Sequence, residues 1–258
     1  MIHRRHVLGL LTIASAWPSR SFADLAPRRS EIREALAKRF TDEGTAGTFV
    51  GYKVDEDLVI ASDKDRSGQA MLPASTFKIP NSVIALETGV VGDPDKDIFK
   101  WDGVVRSIEA WNRDHTLRSA IAASAVPVYQ EIARRIGADR MQKFVDLFGY
   151  GNRDIGGGID QFWLTGNLRI SPIQQIDFVD RLRRGKLPVS KRSQELVATS
   201  CRSRYPAIPL FAPRADCWAP KSASRRWAGW WGGPRRTAPR RCLRSISMFV
   251  SRVISPVA

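Results

Sequence analysis

The stretch Pro73-Ala74-Ser75-Thr76-Phe77-Lys78 leads directly into an apolar segment, Ile79 to Leu86, whose spacing predicts a helix. Ser75 then lies at the helix N-terminus and Lys78 one turn further on. Positions i and i+3 share a helix face, so the lysine nitrogen can reach the serine hydroxyl. A free serine is a weak nucleophile that an adjacent base activates, and the pair therefore indicates acyl transfer through a serine ester.

Ser75 and Lys78 also have an ordinary structural explanation. Serine is a favoured N-cap, a lysine three residues later is commonly solvated, and Ser-x-x-Lys occurs by chance about once in a chain of this length. The surrounding residues favour the catalytic interpretation, because they predict a helix that is buried almost all round. They are Phe77, Ile79, Val83, Ile84 and Leu86. Burial lowers the pKa of a lysine and frees it to act as a base.

The first residues have the features of an export signal. His3-Arg4-Arg5-His6 is basic, Val7 to Ala16 is apolar, and Ser21-Phe22-Ala23 is a small-x-small cleavage pattern. We therefore expect residues 1–23 to be a signal peptide and the mature chain to be soluble, in the periplasm or secreted. A buried N-terminal helix is the alternative. The apolar run, of about ten residues, is too short to span a bilayer.

The positive charge is concentrated in the last quarter of the chain. The net charge is +15, which by itself points to a nucleic-acid partner. Residues 198–258 hold twelve Lys/Arg and one acidic residue, Asp216, whereas residues 1–197 hold 29 Lys/Arg and 25 Asp/Glu. The body of the chain, residues 24–197, is thus close to balanced, and we expect no nucleic-acid partner.

Other features of the composition change at the same point. Residues 198–258, called the tail below, hold four of the eight tryptophans, seven of the fifteen prolines and all three cysteines, Cys201, Cys217 and Cys242. Three cysteines cannot all pair, and no Cys/His spacing fits a zinc site, so we expect no metal.

Hydrophobic periodicity predicts many helices and few strands. The expected elements are a polar helix at 29–40, strands at 48–54 and 58–61 joined by a turn at 55–57, helices at 79–86, 107–123, 126–136, 138–148, 171–182 and 190–197, and a glycine-rich loop at 149–158. One hairpin is too little for a sheet, so further strands would have to come from the tail. Residues 226–233 and 243–253 are weak candidates, because arginine, glycine and proline interrupt their alternation.

Four short motifs, in order, resemble the active-site motifs of the class D beta-lactamases, or oxacillinases. They are Ser75-Thr76-Phe77-Lys78, Ser124-Ala125-Val126, Tyr150-Gly151-Asn152 and Gln161-Phe162-Trp163-Leu164. The resemblance extends from Phe49 to Val197. It implies an α/β fold, with an antiparallel sheet flanked by helices, and hydrolysis of small-molecule beta-lactams through an acyl-serine intermediate.

The resemblance also implies roles for five residues. Ser75 resembles the nucleophile, and Lys78 the lysine that takes up carbon dioxide to become a carboxylated base. Trp163 resembles the tryptophan whose indole N–H holds that carboxylate, Ser124 the serine that passes a proton to the leaving ring nitrogen, and Val126 a residue that helps to cover the lysine. Beyond the carbon dioxide adduct on Lys78, no cofactor is implied. Singly, each residue also fits an ordinary cap or core position.

The tail departs from the family pattern. A Lys-Thr/Ser-Gly motif, which provides a cation for the substrate carboxylate and one N–H of the oxyanion hole, is absent, and Ala215-Asp216-Cys217-Trp218-Ala219 stands in its place. Our hypothesis is that part of the tail is translated in a shifted frame, since charge, Trp, Pro and Cys content all change together. Translation of the coding nucleotides in the other two frames tests this. A natural basic tail is the alternative.

Three functional alternatives stay open on the sequence. A beta-lactam sensor shares the serine, the lysine and the fold but remains acylated. A cell-wall transpeptidase uses the same pair and releases penicillin slowly. A non-functional product would result if the altered tail prevented folding or removed an oxyanion donor.

Overall fold

The computed structural model describes residues 28–204 and 245–251, with side chains for residues 28–201. The strands are β1 (Arg29–Ile32), β2 (Gly47–Lys53), β3 (Leu58–Ala61) and β4 (Ser245–Ser251). The helices are α1 (Glu34–Asp42), α2 (Lys64–Gly68), α3 (Lys78–Glu87), α4 (Leu117–Ala123), α5 (Val126–Ile136), α6 (Ala138–Phe148), α7 (Pro172–Arg183) and α8 (Lys191–Arg204). The predicted signal peptide lies outside the described residues.

The strands form one mixed sheet in the order β1-β3-β2-β4. The β2–β3 hairpin is antiparallel, as predicted, and turns through Val54–Glu56 and a left-handed Asp57. β4 also pairs antiparallel with β2, whereas β1 runs parallel to β3. The α/β class is confirmed, but the expectation of a purely antiparallel sheet is corrected by β1.

The polar helix predicted at 29–40 is wrong in its first part. Residues Arg29–Ile32 form β1, and α1 follows at Glu34–Asp42. All four β1 side chains are exposed, so no alternation marks the strand in the sequence. β1 forms by pairing with the edge of β3. Just beyond the strand, Arg33 N–H continues this pairing by donating to the Ala61 carbonyl at 2.8 Å.

The helix predicted at 107–123 is also too long. Only the turn Glu109–Trp111 and α4 (Leu117–Ala123) are helical within that range. The Asn112 side chain holds the intervening loop by accepting from Arg106 N–H at 2.8 Å and donating to the Arg106 carbonyl at 2.9 Å. Thr116 then begins α4 with a capping box. Side chains that bond to nearby backbone compete with the helix, which explains the difference.

The tail contributes to the structure at both of its described ends. α8 extends through the compositional boundary at residue 198 to Arg204, beyond the predicted end near Val197. β4 lies within the weak strand candidate at 243–253, and its seven residues pair in continuous register with Gly47–Lys53. The other candidate, 226–233, and residues 215–219 lie outside the described residues.

The helix that follows Ser75 is central, as predicted. α3 packs against α5 and α8, and all its residues from Lys78 to Leu86 except Ile79 are buried. Pro80 is tolerated because the first-turn N–H groups of a helix have no intrahelical acceptor. α5 and α6 have their predicted bounds and are separated by Gly137 at φ 81°. The helical core thus holds α3 in place.

The end of α3 is tied to the start of α8 by the Glu87 carboxylate. It accepts hydrogen bonds from Ser190 N–H at 3.1 Å, from Ser190 Oγ at 2.7 Å and from Ser193 Oγ at 2.7 Å. A negative charge at a helix N-terminus is favourable. Burial raises the pKa of Glu87, but the hydrogen bonds from Ser190 and Ser193 outweigh it, and the pKa is lowered from 4.5.

We predict that Glu87→Gln destabilises the fold in a pH-dependent way. A carboxyl with a lowered folded-state pKa stabilises the fold above its unfolded pKa, and this contribution is lost as the pH falls through the folded pKa. The substitution should lower the free energy of unfolding by about 1 kcal/mol near pH 7. The difference from wild type should shrink as the pH falls below the unfolded pKa, about 4.3. Urea unfolding at several pH values measures it.

Glu195→Gln is the matched control, because Glu195 is an exposed glutamate of α8. It should change the free energy of unfolding by less than about 0.5 kcal/mol. A loss in Glu87→Gln that stays constant at every pH would contradict the role of the Glu87 charge.

Candidate active site

Ser75 lies in a helical turn, Ala74–Phe77, that leads directly into α3. Its side chain is exposed. The preceding Ala74 has a positive φ of 45°, and its N–H donates to the Trp163 carbonyl at 2.9 Å. A left-handed alanine is strained, and such strain persists where surrounding contacts hold the backbone. The turn therefore presents Ser75 at a fixed point at the start of the buried helix.

Lys78 lies directly behind Ser75. Its side chain is 2% exposed, and Nζ donates to Ser75 Oγ at 2.9 Å. Nζ also lies 5.6 Å from the centroid of the Tyr129 ring on α5. The predicted contact between the lysine nitrogen and the serine hydroxyl is thus present, with one group buried and the other open to solvent.

Ser124 reaches the same hydroxyl from another element. It ends α4 in the left-handed region, with φ 53°, and its Oγ donates to Ser75 Oγ at 3.2 Å. Ser124 N–H and Ala125 N–H donate back to the Ile121 and Ala120 carbonyls and close the helix end. Ser124 is thus both a helix cap and a partner of Ser75, and the two interpretations of the sequence are compatible.

Trp163 is fully buried beside the Ser75 turn. Its ring stacks on Phe77, with centroids 5.5 Å apart and planes at 24°. Its indole Nε1 has no hydrogen-bond partner within the part of the chain that the structure describes. A buried donor without an acceptor is costly, so this N–H is available to a group that is not part of the polypeptide.

Tyr150-Gly151-Asn152 has a structural role. Gly151 has φ 57°, and a Cβ at this position would lie 2.0 Å from the Arg169 carbonyl oxygen, so only glycine fits. The Asn152 side chain bonds to the backbone of Asn167 and Arg169, which holds the glycine-rich loop closed. Tyr150 is buried, with its ring edge-on to Phe77 at 5.6 Å.

Val126, the fifth residue that the resemblance implied, is the first residue of α5 and is half-buried. Two further residues near the site were not predicted from the sequence. Tyr129 lies against Lys78, and Gln175 on α7 bonds to Tyr150. The sequence did contain an indication for Gln175, because this polar residue lies in a helical stripe whose other members are Pro172, Ile176 and Val179.

The similarity of the chain to known proteins identifies its family. The family model of the penicillin-binding protein transpeptidase domain matches residues 36–202. Beta-lactamase OXA-48 of Klebsiella pneumoniae is 51% identical over 191 residues, which is 74% of this chain and 67% of the relative. Beta-lactamase OXA-5 of Pseudomonas aeruginosa is 49% identical over 168 residues, or 64% of this chain and 62% of the relative.

The solved structures that resemble this chain indicate the same family. FUS-1 (OXA-85), a class D beta-lactamase from Fusobacterium nucleatum subsp. polymorphum, superposes with a TM-score of 0.63 at 37% identity, over 66% of this chain and 70% of that one. The chain belongs to the class D beta-lactamase family. It spans about two thirds of the length of these class D beta-lactamases, 62% of OXA-5 and 67% of OXA-48.

The described residues contain no group of three or more His, Cys, Asp or Glu side chains that could hold a metal ion. Two polar groups contact Ser75 Oγ: the amine of Lys78, from α3, and the hydroxyl of Ser124, at the end of α4. The unpaired indole N–H of Trp163 belongs to the loop that precedes α7.

The left-handed backbone at Ser124 leads to a prediction on stability. Ser124→Ala and Ser124→Gly both remove the hydroxyl, but only glycine adopts a positive φ without strain. The glycine variant should be more stable than the alanine variant by about 1 kcal/mol in urea unfolding.

Ala123→Gly is the control, because Ala123 is the last residue of α4 and has helical geometry. There, glycine should destabilise the chain by about 0.5–1 kcal/mol, which is the opposite sign. Equal stabilities for the two Ser124 variants would show that residue 124 relaxes and stores no strain.

Proposed function

We propose that this chain hydrolyses beta-lactams through an acyl intermediate on Ser75. The observation that carries the proposal is the set of contacts at Ser75 Oγ, which lies 2.9 Å from the nitrogen of the buried Lys78 and 3.2 Å from Ser124 Oγ. A hydroxyl with a base behind it and a second hydroxyl beside it has the arrangement of an activated nucleophile with a proton path. Membership of the class D beta-lactamase family supports the substrate class.

In the acylation step, the Ser75 proton leaves Oγ towards the Lys78 side chain. Ser75 Oγ forms a bond to the carbonyl carbon of the beta-lactam, and the amide bond to the ring nitrogen breaks. Ser124 gives its hydroxyl proton to that nitrogen and receives the proton held by the Lys78 side chain, and an acyl ester remains on Ser75. In deacylation, the Lys78 side chain takes a proton from a water molecule, whose oxygen bonds to the ester carbon. The bond to Oγ breaks, and the same proton passes to Oγ and restores the Ser75 hydroxyl.

We propose further that Lys78 is carboxylated on Nζ by carbon dioxide. When present, such a group supplies an anionic base at neutral pH. The residues fit it, because Trp163 Nε1 is a buried N–H with no acceptor in the described chain, and Ser75 Oγ is a polar neighbour of the lysine nitrogen. Lys78 is nearly excluded from water, which favours the uncharged amine that carboxylation requires.

Val126 is proposed to help cover Lys78 from the start of α5. We propose that the mature enzyme acts in the periplasm or outside the cell, after removal of residues 1–23. Among the residues that the structure describes, no helix is long and apolar enough to cross a membrane. The proposed substrate is a small-molecule beta-lactam, and no nucleic acid takes part.

The altered tail lowers the expected rate. Without the Lys-Thr-Gly motif, the substrate carboxylate loses a cation and the oxyanion hole loses one of its N–H donors. Loss of one such donor reduces catalysis by about 10²–10³-fold. We therefore expect turnover that is measurable but slow, and acylation that is easier to detect than hydrolysis.

Covalent labelling of the full chain tests the nucleophile. Incubated with a fluorescent penicillin, the wild-type chain should gain one penicillin mass by mass spectrometry, and Ser75→Ala should gain none. Ser30→Ala, at an exposed serine of β1, is the control and should label like wild type. Labelling that persists in Ser75→Ala would refute the assignment of Ser75.

Turnover of a chromogenic cephalosporin separates the candidate functions. Sustained hydrolysis beyond one equivalent supports the enzyme. A single burst that leaves a stable adduct would instead indicate a sensor. A fluorescent penicillin label that is released slowly, without turnover of a second equivalent of the cephalosporin, would indicate a transpeptidase. A chain that neither labels nor unfolds cooperatively would indicate the non-functional product.

The proposed carboxylation of Lys78 leads to a separate prediction for the activity of Trp163→Phe, a substitution that removes the indole N–H and keeps an aromatic ring. Its activity should be low in carbon dioxide-depleted buffer and should recover at least several-fold with added bicarbonate, because the weakened adduct then depends on supply. The carbamate signal from ¹³C-labelled bicarbonate in NMR should be weaker than in wild type.

Trp111→Phe is the matched control, since the Trp111 indole already donates to the Ala123 carbonyl at 3.1 Å. Its activity should not respond to bicarbonate. If Trp163→Phe were equally indifferent, Trp163 would not hold the adduct.

A further inference from the structure

Gln175 connects two motifs that lie far apart in the sequence. It is 1% exposed on α7, and its Oε1 accepts a hydrogen bond from Tyr150 OH at 2.5 Å. Thr76 Oγ1, in the residue after Ser75, lies 3.4 Å from the same oxygen. One side-chain amide therefore lies between α7, the start of the glycine-rich loop and the turn that holds Ser75.

The Gln175 amide faces Tyr150 with its oxygen, which accepts the hydrogen bond from the phenol O–H. Burial raises the pKa of Tyr150, so the phenol stays protonated and remains the donor. The other amide atom, Nε2, has no hydrogen-bond partner among the described residues. Gln175 borders a cavity of about 30 Å³ that Thr76, Ile170 and Pro172 also line, and this is room for water.

The Tyr150 ring transmits this hydrogen bond to the active site by packing. It lies edge-on to Phe77 at 5.6 Å, and Phe77 in turn stacks on Trp163 and meets Phe162 at 4.9 Å. Phe77 lies between Ser75 and Lys78 in the chain. A shift of its ring can therefore displace the backbone of this turn and, with it, both reacting side chains. Close-packed interiors pass on such shifts because they contain few voids.

We propose that Gln175 is a positioning residue for acylation: it holds Tyr150, and through the ring of Phe77 it sets the distance between Ser75 Oγ and Lys78 Nζ. This proposal rests on the proposed function of Ser75 as the nucleophile. Gln175 touches neither reacting atom in the described structure, so its effect acts through the Ser75 turn. A misplacement of a reacting group by a fraction of an ångström to one ångström is enough to slow a reaction substantially.

Two variants remove the same hydrogen bond from opposite ends. Gln175→Met keeps the approximate shape and loses the acceptor, while Tyr150→Phe loses only the donor oxygen. The measurement is the initial acylation rate with a fluorescent penicillin, divided by the labelled fraction at completion so that unfolded protein does not count. We expect each variant to acylate about ten-fold more slowly, with less than a two-fold change in the dissociation constant of the non-covalent complex.

The double variant Gln175→Met/Tyr150→Phe tests whether the two residues act as a unit. Its acylation rate should equal that of the slower single variant, because the second substitution removes a bond that is already lost. Independent roles would instead multiply the two effects.

Gln174→Met is the matched control for stability. Gln174 precedes Gln175 on α7 and accepts from Ser171 N–H at 3.0 Å in the capping box of that helix. Its loss should destabilise the chain without contact to Tyr150 or Thr76, so the corrected acylation rate should stay within two-fold of wild type. A merely structural role of Gln175 would give the same pattern as Gln174.

The results separate the two proposals. If the wild-type chain shows no labelling at Ser75, the proposed function fails. If wild type labels and both Gln175→Met and Tyr150→Phe acylate at the wild-type rate, the positioning role is overturned while the function stands. If Gln175→Met does not fold, Tyr150→Phe alone tests the positioning role, because this substitution removes only the hydroxyl oxygen and the ring keeps its packing.

Discussion

The candidate active site depends on one contact between a buried amine and an exposed hydroxyl. Lys78 Nζ and Ser75 Oγ lie 2.9 Å apart, although one side chain is 2% exposed and the other faces solvent. A helix can place two residues in this way when its first turn emerges from the core and its second turn enters it. The packing of α3 against α5 and α8 keeps the boundary between solvent and core between Ser75 and Lys78. Without this packing, Lys78 would be solvated and would behave as an ordinary surface lysine.

Aromatic rings form the layer that supports this contact. Phe77, Tyr150, Phe162 and Trp163 meet at centroid distances from 4.9 to 5.6 Å, and Phe178 joins them through Tyr150. Rings in edge-on and stacked contact have few alternative packings, so they restrict the position of the turn above them. The polar atoms within this layer are few, and each is either paired, as Tyr150 OH is, or left as a donor, as Trp163 Nε1 is.

The parts of the fold that depend on local pattern could be predicted from the sequence, and those that depend on distant partners could not. The bounds of α5 and α6 follow from helical periodicity and Gly137, and the β2–β3 hairpin follows from its two apolar strands. β1 could not be predicted, because its exposed residues gain their structure from the edge of β3. The loop before α4 depends on bonds from the Asn112 side chain to Arg106, which periodicity does not reveal. At the site, the proximity of Ser75 and Lys78 was predictable, whereas the role of Gln175 depends on a contact across 25 residues to Tyr150.

The pairing of β4 with β2 depends on an alternating pattern and on little else. Register places Ile246, Met248 and Val250 opposite Tyr52, Val50 and Thr48, which are buried, while three serines and Phe249 are opposite the alternate positions. Backbone hydrogen bonds do not depend on side-chain identity, so a segment that alternates everywhere except at Phe249 can complete the ladder. In a fold of this architecture, completing the sheet and supplying the groups that bind a substrate are therefore separate requirements, and one segment can meet the first without meeting the second.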